Sequence, residues 1–148
     1  TVCSSDEYRR SVDAGADFVV SPGASEQLFE AAASHKVSFV PGAATGSEVI
    51  VALEKGYSTL KFFPAETSGG EHTILALSGP FPQVRFMATG GVTLDNMGRY
   101  LNLSSVCAVG GSWLTPADLL AAQKWDDLSE LARHTVQRAD EANAETNE

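Results

Sequence analysis

The octapeptide Thr59–Glu66, T-L-K-F-F-P-A-E, sets one lysine inside a run of β-forming and bulky apolar residues. Burying an ammonium ion without a partner is costly, and such a group tends to give up its proton. A neutral amine near pH 7 is a nucleophile toward carbonyl carbon. Lys61 is therefore a candidate for imine chemistry. The plainer alternative is a lysine that snorkels, with its stem along a strand end and its head in water. Two further stretches bear on chemistry. Thr89-Gly90-Gly91 and Gly110-Gly111-Ser112 are glycine-bearing turns, and glycines let backbone N–H groups approach an anion. Each alone is a tight turn. Two of them on successive strands, followed by a capped short helix, point to a phosphate site.

The elements that position these residues repeat as strand, turn, helix. Strands are expected at 17–20, 37–40, from 59, at 84–88 and at 105–109, each a short apolar run closed by Pro or Gly. Ser4-x-x-Glu7 and Thr45-x-x-Glu48 have the capping-box pattern. Ser25 opens a helix with Leu28, Phe29 and Ala32 on one face, and Thr93 caps another to about Leu101. Thr115 is expected as N-cap of the short helix Pro116–Ala121, with Pro116 at N1 and Asp118 in the first turn. An amphipathic helix follows from Trp125, and 140–148 reads as a polar, acidic, frayed tail beyond a domain of residues 1–139. Thr1-Val2-Cys3 reads as the end of a strand.

Repetition of this βα unit implies a parallel sheet whose C-terminal edge carries the chemistry. Two architectures compete. Five units in 148 residues suit an open, flavodoxin-like sheet. A closed (β/α)8 barrel needs more chain, but a barrel phosphate site is built from the loops after its last two strands and a short helix. Counting the glycine turns as those loops makes the lysine strand the sixth, with about three strands expected before Thr1.

In order along the chain, Lys61-Phe62-Phe63-Pro64-Ala65-Glu66, Gly69-Gly70, Gly79-Pro80-Phe81-x-x-Val84-Arg85-Phe86, Thr89-Gly90-Gly91 and Gly110-Gly111-Ser112-Trp113-Leu114 closely resemble the class I 2-keto-3-deoxy-6-phosphogluconate (KDPG) aldolases. That family also carries 4-hydroxy-2-oxoglutarate aldolase activity. Ser21-Pro22-Gly23 and Pro41-Gly42 match it too, so the likeness runs from Thr1 to about Ala139. The K-F-F-P-A-E block is its specific part.

The resemblance implies an α/β fold, the (β/α)8 TIM barrel, represented here by about its last five βα units. It implies a lyase that acts without a cofactor or metal, on a phosphorylated keto acid, usually as a homotrimer. Lys61 would be the Schiff-base lysine. Thr89, Gly90, Gly91, Gly111 and Ser112 match the segments that hold substrate and its phosphate. Phe63 matches the aromatic beside the keto acid, Pro41 and Gly42 a strand end near the pyruvyl carboxylate, and Thr1 the threonine of the family's G-A-G-T-V strand. Thr89 also favours the gluconate over the galactonate series. The family's general-base glutamate and a carboxylate-binding arginine lie on an earlier strand, expected upstream of Thr1.

Composition excludes other classes. Hydrophobic residues make up 43% and charged residues 20%, which is globular. A net charge of −9 without a basic cluster disfavours nucleic acid and anionic membrane. Cys3 and Cys107 lack metal-ligand spacing and are expected as free, buried thiols in a reducing cytoplasm. Glu66 and Glu48 are the acids nearest the lysine strand, and Glu48 is expected to cap its helix instead. His35, His72 and His134 read as solvated, Arg85 as paired in the core or at the far sheet end, and Trp113 and Trp125 as packing residues. A non-catalytic phosphate-binding or assembly module is the rival from another class.

Overall fold

The computed structural model describes residues 1–145. Five parallel strands alternate with helices: α1 (Ser5–Asp13), β1 (Phe18–Val20), α2 (Glu26–Ala33), β2 (Ser38–Val40), α3 (Gly46–Glu54), β3 (Thr59–Phe62), α4 (Gly70–Ser78), β4 (Arg85–Thr89), α5 (Met97–Leu101), β5 (Val106–Gly110), α6 (Ala117–Ala121) and α7 (Trp125–Glu145). β1 pairs with β2, and β3 with β4 and β4 with β5. The two groups join where Gly42 bridges Lys61: the Lys61 N–H donates to Pro41 O (2.8 Å) and the Ala43 N–H to Lys61 O (2.9 Å). The spatial order is therefore the chain order. A flavodoxin-like sheet needs the order 2-1-3-4-5, so that alternative is overturned.

Alternation along each strand sorts side chains to two faces. Leu60, Phe62, Phe86 and Ala88 are fully buried on one face, where the Phe62 and Phe86 rings meet edge to face at 6.1 Å. That face packs with Ile74, Val49, Ala52, Tyr8 and Tyr100 in one continuous core. The opposite face carries Lys61, Met87 and Thr89. On β1, Val19 is buried while Phe18 is 55% exposed.

Side-chain caps start the helices at the expected places, because they satisfy N–H groups the helix itself leaves unpaired. Ser4 and Ser25 accept from the N–H three residues on, and Thr45 with Glu48 forms a complete capping box. The Ser4 box is half made: Glu7 accepts from the Cys3 N–H (2.6 Å), one residue early. Thr93 does accept from the Asn96 N–H (3.3 Å), but regular helix begins only at Met97. Pro116, not Thr115, is the N-cap of α6, and no side chain caps it.

Five further expectations need correction. Cys3 and Cys107 are free but exposed. Cys107 lies where the β4–β5 register shifts, so it escapes the alternation that would bury it. Trp125 is 59% exposed at the start of α7, whereas Trp113 packs against the core and its ring N–H donates to Thr135 Oγ1 (3.3 Å). His35 is half-buried against Tyr8, with Nδ1 2.7 Å from Ala31 O. α7 continues through Asp140 to Glu145, across the expected tail boundary; 146–148 lie outside the described residues. Thr1–Cys3 is not a regular strand, although the Val2 N–H donates to Val20 O (2.9 Å).

Candidate active site

Lys61 is the third residue of β3, where alternation aims it at the face away from the helices. It is 6% exposed. Its Nζ donates to Thr1 Oγ1 at 3.4 Å and stands 5.1 Å from the centre of the Phe63 ring. Burial pushes the amine's pKa below the ordinary lysine value, against a smaller upward electrostatic pull from the nearby Cys3. The balance favours the free amine more than in water, as a nucleophilic lysine requires. The snorkelling alternative fails on this burial.

The amine end opens into a cavity of about 510 Å³ at the C-terminal edge of the strands. Thr1, Lys61, Phe63, Thr89, Gly90, Gly91, Gly111 and Ser112 all line it. Thr1 and Ser112, far apart in the chain, thus meet, and the two glycine turns share one cavity as their place on successive strands suggested. Pro41 and Gly42 stand behind the lysine and clamp its backbone through the Pro41 O and Ala43 N hydrogen bonds. A Cβ on Gly42 would lie 2.2 Å from Pro22 C, so this close approach of two strand ends requires glycine.

Gly90 and Gly91 have φ of +94° and +82°, a left-handed pair that L side chains adopt only under strain. Both glycines line the cavity, and a turn of this left-handed kind suits the approach of backbone N–H groups to an anion. The Thr89 Oγ1 is buried and has no hydrogen-bond partner among the described residues. An orphaned buried hydroxyl in a cavity wall suits a polar ligand.

Gly110 of the second glycine turn lines the cavity too, and so do Val20, Met87, Val92 and Thr93, which were not expected at the site. Met87 was findable, because alternation along its strand sets it on the same face as Thr89. No carboxylate is among these lining residues. Glu48 Oε2 is occupied by the N–H groups of Ala44 and Thr45 and the Thr45 hydroxyl (2.9, 2.9 and 2.8 Å). Glu66 is held by Tyr100 and Arg99. Arg85 sits at the other end of β4, exposed, and its guanidinium donates to Ser104 O. His72 and His134 are exposed.

The fold and site define a class: parallel α/β domains in which a buried strand lysine faces a glycine-rimmed cavity. Residues 1–131 match the family model for KDPG and KHG aldolase, and the chain belongs to that family. It is 43% identical over 139 residues to the KHG/KDPG aldolase of Escherichia coli K12, covering 94% of this chain and 65% of that protein. It is 40% identical over 138 residues to the 2-dehydro-3-deoxy-phosphogluconate aldolase of Pseudomonas aeruginosa, covering 93% and 63%. Among solved structures, the KDPG aldolase of Legionella pneumophila, with pyruvate captured at low pH as a covalent carbinolamine intermediate, superposes with a TM-score of 0.85 at 40% identity. That match covers 88% of this chain and 64% of the Legionella chain. The chain thus spans a little under two thirds of the length of these relatives.

Proposed function

We propose that the protein containing this chain is a class I aldolase that cleaves KDPG to pyruvate and glyceraldehyde 3-phosphate, with activity also on 4-hydroxy-2-oxoglutarate. The observation that carries this is the desolvated Lys61 amine opening onto a cavity rimmed by two glycine turns. A carbinolamine, named in the Legionella structure, is what forms when an amine adds to a ketone.

Lys61 Nζ adds to C2 of the keto acid, and loss of water leaves a cationic iminium. A base takes the C4 hydroxyl proton, the C3–C4 bond breaks, and its electron pair delocalises from C3 into the iminium as an enamine. The aldehyde leaves. Protonation at C3 and hydrolysis of the imine release pyruvate and regenerate the amine. The iminium is itself the electron sink, so this route gives a Lewis acid no part. The Thr89–Gly91 turn, Gly111 and Ser112 hold the phosphate by N–H and O–H donors, and anchoring that remote group fixes the reacting carbons. Thr1 and Phe63 form the keto-acid end, and Pro41 and Gly42 support it from behind Lys61. With no carboxylate on the cavity wall, the base is assigned to the earlier strand implied by the family resemblance.

The sequential parallel order, in a chain that spans a little under two thirds of its relatives' length, supports an arc of a (β/α)8 barrel. We assign residues 1–139 to that barrel. Homotrimeric assembly rests on the family likeness, and a cytoplasmic location on the two unpaired cysteines. Incubation with pyruvate and borohydride should leave a reduced adduct on Lys61, and Lys61→Arg should abolish it, because a guanidinium does not form the imine. An adduct elsewhere, or none in the native protein, overturns the covalent step. The missing cavity carboxylate also favours a second reading, a phosphate-binding module without turnover; phosphate binding without an adduct would select it.

A further inference from the structure

Glu66 lies beneath the anion-binding turn rather than in the cavity. Its backbone N–H donates to Gly90 O (3.0 Å), and the Ala65 N–H donates to Thr89 O (2.8 Å). Its side-chain stem fills the space beside Gly91, where an added Cβ would fall 2.7 Å from Glu66 Cβ and Cγ. Its carboxylate Oε1 accepts from the hydroxyl of Tyr100, which is fully buried on α5, and from Arg99 Nη2 at 3.4 Å. Arg99 Nη1 reaches on to Glu71 at 3.3 Å. Gly70, at φ +60°, leaves room for the Tyr100 hydroxyl, which a Cβ there would approach to 3.4 Å. The spacing of glutamate and double glycine in P-A-E-T-S-G-G therefore has a mechanical reason.

We propose that Glu66 is a positioning residue: it locks the Thr89–Gly91 turn to helix α5 through Tyr100 and so sets the geometry of the phosphate-binding N–H groups. The inference rests on the phosphate assignment made under the proposed function. A carboxylate near an anion site would repel the anion if free. Here its charge is directed to Tyr100 and Arg99 instead, and it acts on the anion through the turn. Tyr100 in turn stays protonated and donating, because burial and the Glu66 hydrogen bond push its pKa up.

The test compares Glu66→Gln, Glu66→Ala and Tyr100→Phe in the native protein. One readout is inorganic phosphate binding by calorimetry. The others are kcat and KM on phosphorylated and unphosphorylated 4-hydroxy-2-keto acids. Losing a hydrogen bond to a charged group predicts that Glu66→Ala and Tyr100→Phe weaken phosphate binding and raise KM for the phosphorylated substrate about tenfold. Pyruvate trapping on Lys61 should stay within about twofold, since pyruvate has no phosphate to hold. Glu66→Gln keeps an acceptor for Tyr100 and should retain most of both. Loss of kcat in Glu66→Gln on both substrates would instead make Glu66 the base and overturn the proposal. Unchanged phosphate binding in Tyr100→Phe, which leaves the carboxylate in place should Glu66→Ala fail to fold, would overturn it too. Phosphate binding reads the positioning role whether or not the wild type forms an adduct; wild-type trapping reads the Schiff-base assignment separately.

Discussion

Gly42→Ala is a severe test of how closely the ends of β1 and β2 approach. The new Cβ would lie 2.2 Å from Pro22 C, 2.3 Å from Pro22 O and 2.4 Å from Gly23 N. Favourable carbon contacts begin near about 3.5 Å, so the two strand ends must part by at least about 1.3 Å. All three obstacles are backbone atoms, and no rotamer change relieves them. Parting strains the Ser21 N–H bond to Val40 O (3.2 Å) and the bonds that tie Pro41 and Ala43 to Lys61. Overpacking costs about 1–3 kcal/mol. Weakening roughly two buried hydrogen bonds adds about 1 kcal/mol each, for about 3–5 kcal/mol in all. At this chain length that lowers Tm by about 9–15 °C. Thermal melts followed by circular dichroism, with urea titration, would measure it. Gly23→Ala is the control: an added Cβ there meets nothing within 4 Å, and the expected change is within about 0.5 kcal/mol. A Gly42→Ala protein within about 1 kcal/mol of wild type would refute the packing account.

Lys61→Met tests the burial of the amine. Its pKa in the folded protein lies below the ordinary 10.5, so between those two values the unfolded chain binds more protons than the folded one. Burial of Lys61 therefore costs stability at neutral pH, and the cost fades as pH rises toward 10.5. The variant should be more stable than wild type at pH 7, with the gap closing in alkali. Urea titrations across pH read this, and a gap that widened with pH would contradict it. Thr45→Ala should cost about 1 kcal/mol by undoing the α3 capping box, measurable in the same titrations. The yield of borohydride-trapped adduct should hold to lower pH than that of a free lysine, since the depressed pKa keeps more amine neutral. A yield that followed an ordinary lysine would count against it.

Much of the fold was legible because each signal was local. The five strands begin within a residue or two of their apolar runs, and Ser4, Ser25 and Thr45 mark their helices. Caps and alternation are short-range physics, and they act within a few residues of where they are written. Errors arose where one local rule competed with another. Thr115 and Pro116 both suited the start of α6, and the proline took the cap. Acidic residues after 139 suggested a tail, but they also continue the helix of α7.

From the chain alone came the lysine, the glycine turns and the order of βα units, since each is a matter of residue type and spacing. The tertiary structure decided three things. It set the strands in chain order by the bridge from Gly42 to Lys61. It brought Thr1 and Ser112 into one cavity. And it turned Glu66 from a candidate base into a strut beneath the turn. Each depends on which distant backbones lie side by side, and pairing across a sheet leaves no mark on the spacing of residues within a single strand.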